Sequence, residues 1–295
     1  MVSGSVGGPR TIYTIGADGT DLRQVTSNLL RPIVAGDSGH TQPEWSPDGT
    51  RIAFVHQILD ASYAVGWQAS IYTVSADGSD LRRLSVPGSM DFGPQWSPDG
   101  ASIAYTGFVN GEQGIYVMNA DGSGAVRLTP PETKAYLPAW SPAGDRIAFS
   151  MLTGDRGDDL YVMNRDGSNI TRITNDERLT YELHPSWSPD GTRIAFLATG
   201  AQGRNVSVVR LDGMVDFRVP LPAKDNEGSP IWFGAYPSWS SDGQRILFQT
   251  CGAENVVDDG VGCKPIFWMV SVPSKQVYAV PMPGGYTLHE PAWRP

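Results

Sequence analysis

The chain has 295 residues, 40% of them hydrophobic, and carries 22 basic against 31 acidic residues for a net charge of −9. This length and apolar content suffice for a large core in one domain. The acidic balance and the lack of a basic run exclude nucleic acid as an expected partner, since phosphate binding depends on clustered Lys and Arg. No stretch approaches the roughly 20 apolar residues of a membrane helix, so we expect no membrane insertion.

Three short segments typical of β-strands lie in the first 26 residues, at 2–5, 11–15 and 22–26. The second of them, Thr-Ile-Tyr-Thr-Ile, consists of β-branched and aromatic residues, which suit strands. The same stretch lacks the basic and apolar regions of a secretory signal, so a signal is not present in this sequence.

One phrase, Pro-x-Trp-Ser-Pro-Asp-Gly with small variations, recurs through the rest of the chain. Its tryptophans return every 44 to 54 residues and are Trp45, Trp96, Trp140, Trp187, Trp239 and Trp293. The first five phrases are each followed by a run such as Arg-Ile-Ala-Phe and then by a second apolar run, which ends in Asp-Gly in four repeats. Asp-Gly is a strong hairpin signal, because glycine accepts a positive φ without steric cost. Each repeat therefore predicts four antiparallel strands, A to D, with the tryptophan at the end of strand A.

Radial repetition of such sheets predicts an all-β fold, a six-bladed β-propeller with four-stranded antiparallel blades. The C-terminal segment supplies only a strand A, whereas the first 26 residues supply the remaining strands of a blade. We therefore predict that residues 1–26 and 287–295 share blade 6, and that pairing of the N- and C-terminal strands closes the ring. A single propeller domain then spans 1–295. An open β-solenoid is the alternative fold.

At these residues the chain resembles the TolB-like propellers built from WD40-like (PD40) repeats, over essentially its whole length. The resemblance implies the six-bladed fold. Similar propellers occur in periplasmic partner-binding proteins, in gating domains of serine peptidases and in polysaccharide lyases, so the resemblance does not fix one function. It leaves open that the sequence is a propeller domain of a larger cell-surface protein.

The loops of a blade separate into two sets. The A–B and C–D turns lie on one face and are nearly constant, whereas the B–C and D–A loops lie on the other face and are long and irregular. Binding residues concentrate on loops that a rigid scaffold holds. The aromatic candidates for ligand binding there are Tyr63, Trp67, Trp232, Phe233 and Tyr236. Packing of these rings under their own loops is the alternative.

A second set of candidates lies at the start of strand A. By the two-residue alternation of a strand, the third and fifth residues before each tryptophan share one side, near the mouth of the central channel. The candidates are His40, Asp91, Glu182, His184 and Glu290. Histidines and carboxylates in such a place can hold a polar ligand or a divalent cation, with His40, His184 and Glu290 as possible metal ligands. Solvated polar side chains without a ligand are the alternative.

The two cysteines, Cys251 and Cys263, flank the predicted B–C loop of the fifth blade. The ends of a hairpin loop come close enough for a bridge, so we predict a disulfide between them. A disulfide indicates an oxidising compartment, and hence a periplasmic, cell-surface or secreted protein. Two free thiols in a cytosolic protein are the alternative.

Together these patterns predict an extracytoplasmic binding module, which as a monomer recognises a protein or carbohydrate ligand through its long-loop face and channel mouth. The alternative is a glycan-active lyase that uses channel-mouth histidines and carboxylates on a uronate. We expect no hydrolase activity, because the motifs of a complete catalytic set are not recognisable.

Overall fold

The structure is a computed structural model that describes residues 2–5, 11–14, 20–26, 37–59, 67–86, 88–109, 111–152, 157–175, 179–200, 203–221, 231–252, 264–280 and 287–289. All regular elements in these ranges are β-strands. Within the same ranges, no helix is long and apolar enough to cross a membrane.

The chain divides into two compact units, Met1–Trp140 with Ala292–Pro295, and Ser141–Pro291. The described strands of the first unit are β1 (Val2–Ser5), β2 (Thr11–Thr14), β3 (Arg23–Gln24), β4 (Asp37–Trp45), β5 (Arg51–Leu59), β6 (Trp67–Ser75), β7 (Arg82–Arg83), β8 (Phe92–Trp96), β9 (Ser102–Val109), β10 (Glu112–Asn119), β11 (Val126–Arg127) and β12 (Ala135–Trp140). Those of the second are β13 (Arg146–Leu152), β14 (Asp158–Asn164), β15 (Thr171–Arg172), β16 (Leu179–Trp187), β17 (Arg193–Gly200), β18 (Gly203–Arg210), β19 (Val215–Pro220), β20 (Ile231–Trp239), β21 (Arg245–Gly252), β22 (Lys264–Ser271), β23 (Val277–Val280) and β24 (Thr287–His289).

In the described part of the chain, the strands form six four-stranded sheets. Blades 1 to 5 are β4–β7, β8–β11, β12–β15, β16–β19 and β20–β23, each in the order A-B-C-D. Blade 6 has the order β24-β1-β2-β3, so strands from the two ends of the chain share one sheet, as predicted. Pairing is antiparallel, with registers such as Phe54↔Tyr72 in blade 1 and Phe196↔Ser207 in blade 4. The predicted fold class, an all-β propeller with four-stranded antiparallel blades, is confirmed; its organisation as one domain stays a prediction.

The Ser-Pro-Asp-Gly phrase forms a tight, internally hydrogen-bonded turn. In blade 1 the Gly49 amide donates to the Ser46 carbonyl oxygen at 2.8 Å. The Ser46 hydroxyl donates to Asp48 Oδ1 at 2.6 Å and accepts from the Arg51 amide at 2.9 Å. The hydrogen bond from the Ser46 hydroxyl, with those from the amide and hydroxyl of Thr50, holds the pKa of Asp48 down, at about 2. The phrase therefore repeats because its own side chains close the A–B turn.

The A–B and C–D turns of a blade lie at the same end of it. The amide of Ala76, in the C–D turn of blade 1, donates to the carbonyl oxygen of Thr50 in the A–B turn at 2.8 Å. Val272 and Gln244 make the same hydrogen bond in blade 5, also at 2.8 Å. We call this end of the blades the turn face; the meeting of the A–B and C–D turns there agrees with the sequence prediction.

Blades pack through small residues of one sheet against large residues of the next. In the first unit, Ala53 and Ile71 of blade 1 lie in one buried cluster with Trp96, Ile103 and Tyr105 of blade 2. The alanine of the Ile-Ala-Phe run is small because the next tryptophan occupies the space above it. Burial of such side chains is the main source of stability in a stack of sheets.

Blades 4 and 5 of the second unit repeat this packing. Ala195 of strand B lies in a cluster with Trp239 and Ile246 of the next blade. The indole N–H of Trp239 also donates to the Ser186 carbonyl oxygen at 3.1 Å, so the tryptophan both packs against and hydrogen-bonds to the preceding blade. The recurring tryptophan is therefore an inter-blade residue.

Candidate functional site at the start of strand A

Strand A is irregular just before its tryptophan. In β4 the ladder passes from Thr41↔Val55 to Glu44↔Ala53, so strand A advances three residues while strand B advances two. The same shift occurs in β8, β16 and β20. Each is a β-bulge, which adds one residue and redirects the side chains around it.

The third residue before the tryptophan has a positive φ in every described strand A of blades 1 to 5. We call these five the bulge residues: Gln42 (53°), Gly93 (57°), Leu137 (56°), His184 (56°) and Tyr236 (61°). Four of the five are not glycine, and a side chain in the left-handed region costs about 1–2 kcal/mol. Such strain persists only where the surrounding structure imposes it.

The third and fifth residues before the tryptophan differ in burial where both are described. His40 and Asp91, the fifth residues, are buried, whereas Gln42 and Gly93, the third residues, are partly exposed. The predicted sharing of one side by these two positions stays a prediction.

In the first unit, bulge residues of consecutive blades contact each other. The Gly93 amide donates to Gln42 Oε1 at 2.8 Å. The Leu137 amide donates to Thr106 Oγ1 of blade 2 at 2.9 Å. The bulge residues of blades 1 and 2 are thus joined by a hydrogen bond, and the bulge residue of blade 3 is hydrogen-bonded to strand B of blade 2.

Glu44, in the residue before the blade 1 tryptophan, was not among the sequence candidates. Its carboxyl is only partly exposed, and burial raises its pKa to about 8, although a hydrogen bond with the Gln95 side chain opposes the rise. Gln95 is the equivalent residue of blade 2. The sequence carries a signal for this position, since the x of Pro-x-Trp changes between repeats and is a carboxylic acid at Glu44 alone among the six phrases.

His40 is buried between blades of the first unit, with 6% of its surface exposed. Its Nδ1 shares a hydrogen bond of 2.8 Å with Thr26 Oγ1, which also accepts from the Ile12 amide at 2.8 Å. The ring of His56 lies 5.1 Å away between centroids. Burial, and then the charge of His56, lower the pKa of His40 to about 3, so the ring is neutral at physiological pH.

Asp91 occupies the matching place in blade 2 and has 7% of its surface exposed. Burial raises its pKa, while hydrogen bonds with Ser85 and Ser89 and the charge of Arg83 oppose the rise. Ser85 Oγ accepts from the Ile71 amide at 2.8 Å, as Thr26 does for Ile12. His40 and Asp91 therefore cap the preceding blade, and their burial excludes the alternative of solvated channel groups at these two positions. Their role in ligand binding stays a prediction.

In the second unit the bulge residues His184 and Tyr236 form an aromatic pair. Their ring centroids are 4.2 Å apart and the planes are tilted by 52°. Both side chains are partly exposed. Desolvation lowers the pKa of His184 to about 4, because protein surrounds the imidazole even though solvent reaches part of it. At neutral pH the pair therefore offers an uncharged imidazole beside a phenol.

The other predicted site residues are placed only in part. Trp67 begins β6, Glu182 lies in β16, and Phe233 lies in β20, with side chains outside the described part. Trp232 is the extra residue of a second bulge, since Ile231 pairs with Gly252 and Phe233 with Cys251. Tyr63 and Glu290 lie outside the described residues.

The predicted disulfide is placed by its backbone only. Gly252 pairs with Lys264, and Cys251 pairs with Pro265, at the ends of strands B and C of blade 5. Cys263 directly precedes Lys264 but lies outside the described residues, as does the Cys251 side chain. The disulfide stays a prediction, on a register that brings the two ends of the loop together.

Within the described residues, no three or more His, Cys, Asp or Glu side chains are grouped closely enough to hold a metal ion. Of the possible cation ligands, His40 is buried against Thr26, and His184 pairs with Tyr236. Since Glu290 and the Glu182 side chain lie outside the described part, the cation at the channel mouth stays a prediction.

Repeated four-stranded antiparallel blades, joined by the recurring tryptophan and the Ser-Pro-Asp-Gly turn, define a β-propeller of WD40-like repeats. Residues 30–232 match the family PD40, the TolB β-propeller domain. The chain belongs to this family.

Similar proteins differ in length. The uncharacterized peptidase YuxL of Bacillus subtilis (strain 168) is 38% identical over 76 residues, which cover 25% of this chain and 10% of YuxL. TolB of Acinetobacter baumannii has a TM-score of 0.71 at 20% identity, covering 100% of this chain and 66% of that chain. A chain of the nidogen/laminin complex has a TM-score of 0.68 at 9% identity, covering 98% of this chain and 95% of that chain. The two structural likenesses show the fold alone.

Proposed function

We propose that this chain is an extracytoplasmic binding module that recognises a protein or glycan ligand at the end of the blades opposite the turn face. The ligand contacts the bulge residues and the long B–C and D–A loops. The scaffold is rigid, and the chemistry presented at its loop end changes from blade to blade.

The observation that carries this proposal is the repeated positive φ of the bulge residues. The same backbone conformation recurs five times, yet the side chains are an amide, a hydrogen, an isobutyl group, an imidazole and a phenol. A conformation kept at a steric cost, with side chains chosen for something other than that conformation, points to use in recognition. On the turn face, by contrast, the serine and aspartate side chains form the hydrogen bonds that close the turns.

The chemistry of the bulge residues and of Glu44, two residues after the bulge residue Gln42, favours an uncharged, polar and partly apolar ligand surface. His184 is neutral at physiological pH and pairs with Tyr236. The Glu44 carboxyl is largely protonated at neutral pH, since its pKa is raised to about 8. Such groups donate and accept hydrogen bonds without the desolvation cost of a full charge, which suits peptide backbone or sugar hydroxyls.

The fold is compatible with a protein ligand, since one propeller of similar fold comes from a nidogen/laminin complex. The extracytoplasmic location rests on the predicted disulfide between Cys251 and Cys263. A monomer is proposed, because a propeller closes its own sheets.

The test is a selection followed by a matched pair of variants. A displayed peptide library and a glycan array are each selected on the wild-type chain, and the best peptide and glycan are measured by calorimetry. We expect Tyr236→Ala and His184→Gln to weaken binding of the selected compound several-fold. Asp166→Asn, on the turn face, should leave it unchanged. If neither library yields a binder, or if Asp166→Asn weakens binding as much as Tyr236→Ala, the proposed function is wrong.

A further inference from the structure

A groove with a volume of about 640 Å³ lies on the turn face of the first unit, between blades 1 and 2. Its walls combine carboxylates, guanidinium groups, hydroxyls and the edge of a buried indole. The lining residues used below are Asp48, Arg51, Arg82, Trp96, Asp99 and Asp121. Among the described residues, the lining consists of turn-face and neighbouring strand residues and includes none of the bulge residues, so the groove differs from the candidate site at the start of strand A.

The position of Arg51 accounts for the open space. Its Nη1 lies 2.7 Å from Asp80 Oδ2, and its Nη2 donates to the Asp80 carbonyl oxygen at 2.9 Å and to Thr73 Oγ1 at 3.1 Å. Arg82 Nε binds the other oxygen of the same carboxylate at 2.9 Å. Asp80 thus holds Arg51 on the blade 1 side of the groove.

Between blades 4 and 5, an arginine side chain of the protein itself occupies the corresponding place beside the tryptophan. Arg193 is the counterpart of Arg51 and Trp239 is the counterpart of Trp96. The guanidinium carbon of Arg193 lies 5.0 Å from the centre of the Trp239 ring, within cation–π distance. Its partner Asp216 is farther away, at 3.5 Å, than Asp80 is from Arg51. The repeat therefore accommodates a guanidinium against its tryptophan, and the groove between blades 1 and 2 lacks one in that place.

The charge around the groove favours a cation. Three lining carboxylates, those of Asp48, Asp99 and Asp121, face two guanidinium groups that already share Asp80. Asp121 uses Oδ1 to accept from the Ser123 amide at 2.9 Å and from its hydroxyl at 2.7 Å, which leaves Oδ2 able to accept from a ligand. A planar cation with several N–H donors matches carboxylates on one side and an indole on the other.

We propose that this groove is a second binding site, which takes the arginine side chain of an extended peptide segment of a partner protein. The guanidinium lies toward Trp96 as Arg193 lies toward Trp239, and it donates to Asp121 and Asp99. The proposal is independent of the function assigned to the loop face.

The test uses two tripeptides, acetyl-Gly-Arg-Gly-amide and its citrulline twin, titrated into the ¹⁵N-labelled chain. Citrulline keeps the shape of arginine but not its charge. We expect a saturable shift of the Trp96 indole resonance with the arginine peptide and at least about tenfold weaker binding of the citrulline peptide. The Asp121→Asn variant should raise the Kd of the arginine peptide about threefold, the size expected for an exposed charge pair.

Asp166→Asn is the matched control. Asp166 lies in the equivalent turn of blade 3 and makes the same hydrogen bonds with Ser168, at 3.0 Å from its amide and 2.6 Å from its hydroxyl. This variant should leave the Kd of the arginine peptide unchanged. The proposal is overturned if the Trp96 resonance does not shift, if citrulline binds as well as arginine, or if the two variants have equal effects.

Discussion

The rings of His184 and Tyr236 lie 4.2 Å apart, although 52 positions of sequence separate the two residues. Both have the left-handed backbone of a bulge residue, at φ 56° and 61°. Blades 4 and 5 therefore bring the same irregular position of strand A into contact. The backbone conformation of this position is repeated, whereas its side chain differs in each of the five blades.

Because the bulge residues have a positive φ, a glycine variant should be more stable than an alanine variant at these positions, which is the reverse of the order in a regular strand. Leu137→Gly should be more stable than Leu137→Ala by about 1 kcal/mol, because glycine accepts a φ of 56° without steric cost. Urea unfolding of the two variants measures the difference. In a regular strand the order is the usual one, so Ala104→Gly should destabilise the chain. A Leu137→Ala variant as stable as Leu137→Gly would show that the bulge is not strained.

The buried His40 predicts a loss of stability in acid. Its pKa is about 3 in the folded chain against 6.5 when unfolded, so the unfolded chain binds the extra proton between these values. Stability is therefore present above pH 6.5 and falls as the pH drops toward 3. Between pH 7 and pH 5 the contribution of His40 should fall by about 2 kcal/mol.

His40→Gln serves as the comparison, because it removes the titrating ring and keeps a polar group near Thr26. Its free energy of unfolding should change less between pH 7 and pH 5 than that of the wild type. If the free energy of unfolding changed equally in the two proteins between pH 7 and pH 5, a group other than His40 would control the loss of stability in acid.

The raised pKa of Glu44 predicts a loss of stability at high pH, in the opposite direction to the effect of His40. Its pKa is raised from 4.5 to about 8, so its contribution is fully present below pH 4.5 and is lost as the pH rises through 8. Glu44→Gln should therefore be more stable than the wild type at pH 8, by about 1–2 kcal/mol after allowance for partial exposure. At pH 4 the two should be alike. A variant that is less stable than the wild type at pH 8 would contradict this assignment.

The cysteine pair predicts a redox-dependent stability. If Cys251 and Cys263 are bridged, reduction should lower the free energy of unfolding by roughly 3 kcal/mol in the chain-entropy model. The Cys251→Ser, Cys263→Ser double variant should not respond to reductant. Two thiols that react with iodoacetamide in the denatured, unreduced protein would exclude the bridge.

The fold could be predicted because the residues that close the turns and pack the blades lie within each repeat. The Ser46–Asp48 hydrogen bond closes a turn within five residues, and the small Ala53 leaves room for the next tryptophan. Strand order, closure by the chain ends and the meeting of the A–B and C–D turns follow from such units.

The site could be predicted only in part, because it depends on where the register between strands A and B shifts. The positive φ of the bulge residues has no signal in the sequence at Gln42, Leu137, His184 or Tyr236, since none of them is glycine. The burial of His40 against Thr26 depends on the preceding blade, which strand alternation does not describe. The contact of His184 with Tyr236 needed the relative position of two blades, which a single sequence does not supply.

The loop aromatics test the central claim, that the loop end of the blades binds the ligand and the turn face does not. Trp67→Ala and Trp232→Ala should each weaken binding of the compound selected on the wild-type chain by about 1–2 kcal/mol, as expected for anchor residues. The chain with both substitutions must first match the wild type in its unfolding midpoint. The decisive measurement is the calorimetric Kd of that compound for the doubly substituted chain and for Asp166→Asn. The account predicts a Kd raised at least about tenfold in the first and unchanged in the second, and the reverse result would contradict it.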